Sequence, residues 1–424
     1  MNLSIKEIIM DKTKLMQKGI SLPVGFSAGY AREVVNAENG TSLGGYGLAN
    51  AKVRLSQSVK DDLKLTCTAV SDGDEAVLIY SVDSCHIAES ITNPLFKMIE
   101  EELGVPASNV IFNPIHTHSA PVLYTDFLPG LRKYLDEVFN PAAVRLAEAA
   151  LRDLAAAKIF AGTAKTSGLS FVRRYVSLDG KEFLGNWPET ILSPNEARHE
   201  SDHDERMQII RFAREDKKDI VMCNWQCHPT SASGEEETYL SADWVGVLRN
   251  IVEAEKDVNF VYHQGAAGNI ICFGMLEGEN NFDGDKYVEH GALIAKVAME
   301  IMDNLTPVKE GKVQAAKRFL TVNRKGDDGR TANIPISALA IGDAAFATVP
   351  YEMFSANGAQ VKDNSPFDVT FMCELTNGEY NYVPAEESFD LGGYEVRVCP
   401  FVKGTGEQVA MALVDMLKEL YASR

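Results

Sequence analysis

Four apolar, strand-like runs of this 424-residue chain each end at a polar or glycine-rich corner, and this arrangement constrains the fold most strongly. The runs are 75–83, 109–115 before His116, 219–227 before His228, and 259–263 before Gly265. Helical stretches separate the runs along the chain, which favours an α/β architecture. In α/β sheets, binding and catalytic sites collect where strand ends meet the following loops. The corners of this chain are therefore the first places to look for chemistry.

Periodic apolar residues predict the helices and two further strands. Helices are expected over 87–103, 141–157, 243–254, 291–305 and 407–420, with another beginning near Tyr351 and Glu352, and strands over 341–349 and 368–374. We expect an α/β fold in which residues 1–424 form a single large layered catalytic domain with mixed β-sheets packed between helices. The segment 166–206 is poor in periodic pattern and rich in Gly, Pro, Asn and charge, which predicts a lid or a surface excursion.

Composition excludes several classes of function. The chain has 41 Lys and Arg against 60 Asp and Glu, a net charge of −19, which argues against binding nucleic acid or docking on anionic membranes. The chain contains no stretch of about 18 apolar residues, so no membrane-spanning helix is predicted. The apolar runs of the first twelve residues are short and interrupted by charge, unlike a signal peptide. These features predict a cytoplasmic protein that acts on a small molecule.

The seven cysteines are odd in number and scattered, and several lie in apolar runs. This is typical of reduced, buried cysteines in a cytosolic protein. Cys223 and Cys227 lie four residues apart, but no second pair at zinc-ribbon spacing accompanies them, so we do not expect a zinc ribbon.

Three of the eight histidines, His116, His118 and His228, lie at or just past predicted strand ends. A rigid strand end suits a metal ligand, and if the strand persists through residue 118, His116 and His118 face one cavity. Zinc takes three or four N, O or S ligands, and a catalytic zinc keeps one position for water. His-x-His supplies at most two of these ligands, so the motif alone does not establish a metal site. The alternative is that these histidines are structural and the site lies elsewhere.

Two further features have weaker interpretations. His199 and His203 lie four apart, at helical spacing, but their highly charged surroundings favour a solvated surface over a metal pair. The run 265–269, Gly-Ala-Ala-Gly-Asn, would let backbone N–H groups approach a ligand closely, or is simply a tight turn. It does not match a phosphate-binding loop.

Several motifs together resemble those of the neutral/alkaline, non-lysosomal ceramidase family. Residues 114–121, Pro-Ile-His-Thr-His-Ser-Ala-Pro, are similar to the family's zinc motif Thr-His-Thr-His-Ser-Gly-Pro, which follows the same kind of strand. Matching segments follow in the family's order: 78–83 ending in Asp83, 225–231 around His228, 240–244 around Asp243, 349–352 ending in Glu352, 377–384 around Tyr382, and Tyr394-Glu395 twelve residues later. The resemblance covers about residues 23–400 and implies a ceramidase-like catalytic domain.

By this resemblance the zinc ligands would be His116, His228, Glu352 and Tyr382, and the residues facing the substrate would be His118, Arg173 and Tyr394. Arg174 is the alternative to Arg173, because neighbours on a strand face opposite sides. Tyr380 is the alternative to Tyr382, which is preferred because its distance to Tyr394 matches the family.

The chemistry implied is hydrolysis by a zinc-activated water. Two neutral imidazoles and a carboxylate leave zinc cationic, so that it polarises a carbonyl and lowers the pKa of bound water to about 7. Tyr382 would bind zinc as a phenolate or assist through its hydroxyl. His118 is the candidate general acid or base, and Tyr394 or Arg173 would steady a developing oxyanion.

The chain also departs from the family's pattern. The family has Gly-Asp-x-Ser-Pro-Asn with a catalytic serine, whereas the stretch 265–269 lacks both the serine and the aspartate. The chain ends thirty residues after Tyr394, so we do not expect the family's C-terminal β-sandwich, and from the N-terminal sequence we expect no secretion signal. We therefore predict a zinc-dependent amidohydrolase, with esters as second substrates, that acts on a small soluble compound rather than ceramide. The alternatives are a catalytically silent metal- or ligand-binding relative, and another zinc enzyme acting on a sugar-like metabolite.

Overall fold

The computed structural model describes residues 10–46, 53–326 and 329–424, so the first nine residues, on which the signal-peptide prediction mainly rests, lie outside it. The helices of the described residues are α1 Lys12–Gln17, α2 Glu89–Leu103, α3 Leu131–Tyr134, α4 Asn140–Arg152, α5 Asp243–Lys256, α6 Tyr287–Met302, α7 Ser355–Asn364, α8 Tyr394–Val398 and α9 Thr405–Ser423. A π-helical turn, Leu135–Phe139, joins α3 to α4.

The strands of the described residues are β1 Ser27–Val34, β2 Ser58–Val59, β3 Lys64–Ser71, β4 Ala76–Val82, β5 Val110–Pro114, β6 Ala155–Lys165, β7 Phe171–Val172, β8 Tyr175–Ser177, β9 Phe183–Gly185, β10 Ala197–His199, β11 Arg206–Arg214, β12 Ile220–Trp225, β13 Tyr239–Leu240, β14 Asn259–Gln264, β15 Ile270–Ile271, β16 Thr306–Val308, β17 Val313–Asn323, β18 Thr331–Ile341, β19 Ala344–Thr348, β20 Glu352–Met353, β21 Val369–Cys373 and β22 Tyr382–Val383.

The largest sheet has the strand order β14-β12-β11-β6-β1-β3-β4-β5, with β16 paired to β6. Its two ends are parallel pairs, β12 with β14 and β4 with β5, and the strands between them are antiparallel. The two ends meet, since Ser81 Oγ donates to the Tyr262 carbonyl at 2.7 Å and the Gln264 amide donates to Asn113 Oδ1 at 3.0 Å. This curvature brings the carboxyl ends of β4, β5, β12 and β14 to one place.

A second sheet, ordered β17-β18-β19-β21, packs against one face of the large sheet. Alternate residues of each strand enter the shared core, as Ile79 and Ile111 of the large sheet and Phe346 and Phe371 of the second sheet do. The opposite face of the large sheet packs on α2 and α4 near one end and on α5 and α6 near the other. Helices α7 and α9 cover the far face of the second sheet. The prediction of mixed sheets layered between helices is confirmed.

Strand pairing changes the bounds of two predicted helices, and the helix expected over 291–305 instead spans Tyr287–Met302. The helix expected over 141–157 ends at Arg152, and Ala155 already belongs to β6, which pairs along β11. The helix expected at Tyr351 and Glu352 begins only at Ser355. Here Glu352 lies in a short parallel pair with Tyr382. In both places strand pairing outweighs local helix propensity, which is worth under about 1 kcal/mol per residue.

The segment 166–206 contains four short strands, β7 to β10, and is more ordered than its sequence suggests. Strand β7 pairs with β15, next to the loop 265–269, so this segment carries Arg173 into the interior. Its role as a lid stays a prediction.

Candidate metal centre

His116, His228 and Glu352 meet where the ends of the large sheet converge. Their ligand atoms all lie within 4.8 Å of one another. Glu352 Oε2 lies 3.4 Å from His116 Nε2 and 3.1 Å from His228 Nε2. The three residues are 2%, 1% and 9% exposed, so bulk solvent has little access to these atoms.

Backbone carbonyls orient the two imidazoles. Nδ1 of His116 lies 2.7 Å from the Cys85 carbonyl, and Nδ1 of His228 lies 2.8 Å from the Ile270 carbonyl. Because a carbonyl only accepts, each Nδ1 donates a proton, and Nε2 is the nitrogen left to receive a cation. Second contacts of this kind commonly set the tautomer of metal-binding histidines.

Glu352 and the two Nε2 atoms need a positive charge between them. Burial alone would lower the pKa of His116, but the charge of Glu352 and the contact with Cys85 outweigh burial and hold that pKa well above its usual range. Burial, together with the charge of Arg173, lowers the pKa of His228 to about 4. Against the effect of burial, the charge of His116 holds the pKa of Glu352 well below normal. A divalent cation between these atoms would supply that charge.

His116 reaches the centre through an unusual backbone conformation rather than along a strand. Strand β5 ends at Pro114, and His116 has φ of +72°, a left-handed conformation that non-glycine residues rarely adopt. The assumption that the strand persists through residue 118 is therefore wrong. The rings of His116 and His118 nevertheless meet, with centroids 4.9 Å apart.

His118 lies at the edge of the cluster and is 9% exposed. Neither of its ring nitrogens has a hydrogen-bond partner among the described residues. Burial lowers its pKa, so the ring is neutral at neutral pH. Arg54 Nη2 donates to the His118 carbonyl at 2.6 Å, and the ring packs directly on Gly45. His118 is thus held in place with its nitrogens free to act.

Arg173 points into the centre and Arg174 points away from it. Nη1 of Arg173 lies 3.3 Å from His228 Nε2, and its Nε donates to Glu395 at 2.8 Å. Arg174 instead binds Glu200 through Nε at 2.6 Å and shares Glu395 through Nη1 at 2.9 Å.

The choice between the two tyrosines is equally clear in the geometry. Tyr382 is 7% exposed, and its hydroxyl interacts with the Glu352 carboxylate; burial first, and then that carboxylate, raise its pKa well above normal. Tyr380 instead donates its hydroxyl to Glu89 at 2.9 Å. The ring of Tyr394 lies 5.5 Å from the ring of Tyr382.

The loop 265–269 supports the centre with backbone atoms. The Gly268 amide donates to the Met353 carbonyl at 2.8 Å, and a Cβ on Gly268 would come within 2.9 Å of the Glu352 carbonyl oxygen. The Gly268 carbonyl accepts from Arg173 Nη2 at 2.9 Å. Close packing against Glu352 explains why residue 268 is glycine. The loop 265–269 brings no side-chain hydroxyl to the site.

Three residues near the centre were given no role by the sequence. Glu395 stands in a quoted motif but is a buried partner of two arginines. Glu374 Oε2 accepts from the Met353 amide at 2.8 Å, and burial and the charge of Glu352 raise its pKa to about 8. Cys85 lies with its Sγ 3.6 Å from His116 Nδ1. It follows the strand-end residue Asp83 by two positions, so the strand-end argument could have found it.

The other candidate pairs do not join this centre. His199 belongs to a short strand, not a helix, and contacts Glu279 and the Val172 carbonyl. His203 contacts Ser170 Oγ at 3.1 Å. All seven cysteines are buried and unpaired, and neither Cys223 nor Cys227 belongs to a potential metal-binding group among the described residues.

A cavity of about 550 Å³ opens beside Tyr394. Phe183, Trp187 and Arg397 help to line it. Trp187 also packs against the Arg173 guanidinium, which lies 5.2 Å from its ring. None of the three clustered residues lines this cavity, and Arg173, which contacts both Trp187 and His228, lies between the cavity lining and the cluster.

Comparisons with known proteins point to one family. The model of the family "neutral/alkaline non-lysosomal ceramidase, N-terminal" matches residues 67–275. A solved ceramidase complexed with C2 superposes with a TM-score of 0.75 at 16% identity, covering 95% of this chain and 76% of that one. The neutral ceramidase from Pseudomonas aeruginosa gives a TM-score of 0.74 at 16% identity, with 94% and 75% coverage. Among the described residues, no helix is long and apolar enough to cross a membrane.

Proposed function

From the chain's place in the neutral/alkaline non-lysosomal ceramidase family, which the family match and the shared fold support, we propose that this protein is a zinc-dependent hydrolase of an amide C–N bond. The observation that carries the proposal is the convergence of His116 Nε2, His228 Nε2 and Glu352 Oε2 in a buried site. Three buried acceptor atoms facing each other favour a positive charge between them, and a metal ion would supply it.

The donor set fits zinc. Two imidazole nitrogens and one carboxylate are a common ligand set of catalytic zinc, which leaves room for a further ligand. His116, His228 and Glu352 would hold the ion, and the Tyr382 hydroxyl, already bonded to Glu352, would be the fourth protein ligand. Zinc, when bound, supplies a Lewis acid that polarises a carbonyl and lowers the pKa of water.

His118 is the proposed proton carrier. Because burial keeps its ring neutral and both nitrogens lack partners, it can take a proton from an attacking water and return it to the leaving amine nitrogen. No side-chain hydroxyl from the loop 265–269 is available for this role, so water is the nucleophile that the site supports.

Arg173 and Tyr394 would orient the substrate from the side of the cavity. The three nitrogens of Arg173 contact Glu395, Gly268 and His228, so its contribution is a positive charge held in a set position. Tyr394 lines the cavity and is the better placed to donate to a developing oxyanion. The aromatic lining of the cavity favours a small substrate with an apolar portion, an amide first and an ester second.

The test combines metal analysis with a substrate panel. We expect about one zinc per chain in the purified protein, lost in Glu352→Gln and His228→Ala and kept in the control His203→Ala. A panel of N-acyl amides and esters should give zinc-dependent turnover, with products that together gain one water by mass. Unchanged zinc in both variants would refute the metal site. Zinc without turnover would favour the silent relative, and products without added water would favour a lyase or isomerase.

A further inference from the structure

We propose that Cys85, His116 and His118 form a second cation position, suited to a thiophilic divalent ion such as Zn²⁺, Cd²⁺ or Co²⁺. It lies on the opposite side of the His116 ring from Glu352. The inference goes beyond the proposed function, because it uses neither His228 nor Glu352 and would hold even if the protein hydrolysed nothing.

Two groups of three potential metal ligands share the imidazole of His116. Nε2 of His116 faces Glu352 at 3.4 Å, whereas Nδ1 faces Cys85 Sγ at 3.6 Å. The ligand atoms of Cys85, His116 and His118 all lie within 4.8 Å of one another, and the three side chains are buried. An ion there would be near the first position and separate from it.

The second position also contains polar atoms without partners. Both ring nitrogens of His118 are buried and unpaired among the described residues. Leaving a buried donor or acceptor unpaired is unfavourable, and an ion would give one of these two nitrogens a partner. One thiolate and two imidazoles are the soft donor set that zinc and its heavier relatives prefer. Among the described cysteines, Cys85 alone belongs to such a group.

When a metal ion binds at this position, it replaces protons on its ligands. One metal–sulfur and two metal–nitrogen bonds form, and nothing is oxidised or reduced. Cys85 binds as its thiolate, any thiol proton going to solvent, and the Nδ1 proton that His116 shares with the Cys85 carbonyl also leaves to solvent. The ion would also occupy a nitrogen of His118. An excess of a thiophilic metal would therefore remove the proposed proton carrier and inhibit the protein.

Cobalt titration tests the inference directly. We expect the wild-type protein to bind about two equivalents, one of which produces thiolate-to-cobalt charge-transfer absorption in the near ultraviolet. Cys85→Ala should lose that absorption and one equivalent, whereas the control Cys399→Ala, which alters another buried cysteine, should keep both. His118→Gln should weaken the same equivalent and serves as a second variant if Cys85→Ala does not fold.

The outcomes separate this site from the first one. Glu352→Gln should lose the cobalt ion that gives no charge-transfer absorption. The same variant should keep the cobalt ion that is bound to Cys85 and gives the absorption. One equivalent in the wild type with no charge-transfer band would overturn the second position and leave the proposed function standing. A band that persists in Cys85→Ala would also overturn it, because another cysteine would then be the ligand.

Discussion

Nη1 of Arg173 lies 3.3 Å from Nε2 of His228, while Nε of the same guanidinium donates to Glu395 at 2.8 Å. Glu395 also accepts from Arg174 and, through both oxygens, from Asn186. It is completely buried, so these contacts tie the segment 166–206 to α8 beside the candidate metal centre.

Glu395→Gln should therefore destabilise the fold strongly. Removing the carboxylate leaves two buried guanidinium groups short of negative charge, and breaking a buried pair costs about 3–5 kcal/mol. Denaturant unfolding at neutral pH measures this. The control is Glu419→Gln, whose exposed pair with Arg318 should contribute under about 1 kcal/mol. Equal losses in the two variants would contradict the buried network.

Gly45→Ala should displace His118 and reduce turnover. Gly45 has φ of +90°, and a Cβ there would lie 2.3 Å from Cγ of the His118 ring. Gly40 has nearly the same φ, +89°, with nothing within 4 Å of its Cβ position. Both alanine variants should lose roughly 1 kcal/mol of stability through backbone strain, but only Gly45→Ala should lose kcat, by about 10²-fold or more. Equal kcat values would show that the ring position does not matter.

Tyr382→Phe and Tyr380→Phe form a matched pair. Tyr382 bonds to Glu352 inside the centre, whereas Tyr380 bonds to Glu89 outside it. We expect Tyr382→Phe to weaken zinc binding about tenfold or more in competition with a chelator, as loss of a group at the metal typically does. Tyr380→Phe should bind zinc as the wild type does, and the proposed ligand role fails if both variants retain full affinity.

His290 should make the fold sensitive to acid. Burial lowers its pKa from 6.5 to about 4, against a hydrogen bond to the Leu169 carbonyl that raises it. Because the folded state favours the neutral ring, its contribution to stability is complete above pH 6.5 and is lost as the pH falls toward 4. The difference between a pKa of 6.5 in the unfolded chain and about 4 in the folded protein corresponds to a loss on the order of 3 kcal/mol.

His290→Phe removes this titration while keeping the stack on Phe282, whose ring lies 4.5 Å away. At pH 7 the variant should lose about 1 kcal/mol with the Leu169 hydrogen bond. Its stability should then fall less steeply than that of the wild type between pH 6.5 and 4. His263, with its pKa lowered to about 3 by burial, continues to supply a slope of the same sign. Parallel curves for the two proteins would argue against a neutral His290.

Local sequence patterns were enough to predict the strand ends, the layered α/β class and the family resemblance. Apolar periodicity reports which local segments are buried, and it placed His116 and His228 at strand ends correctly because a strand's pattern stops where its pairing stops. Motif order then led to the family that the comparisons support. These properties depend on residues close together along the chain.

The assembly of the centre depends on tertiary contacts that no local sequence pattern predicts. The curvature of the sheet brings β5 and β12 together, and the left-handed turn at His116 aims its Nε2 at Glu352. The pairing of β20 with β22 places Glu352 beside Tyr382, where local propensity predicted a helix. Such relations arise from contacts between segments distant along the chain, and no local period encodes them. For the same reason Cys85, more than thirty residues before His118, became visible as its neighbour only in the folded protein.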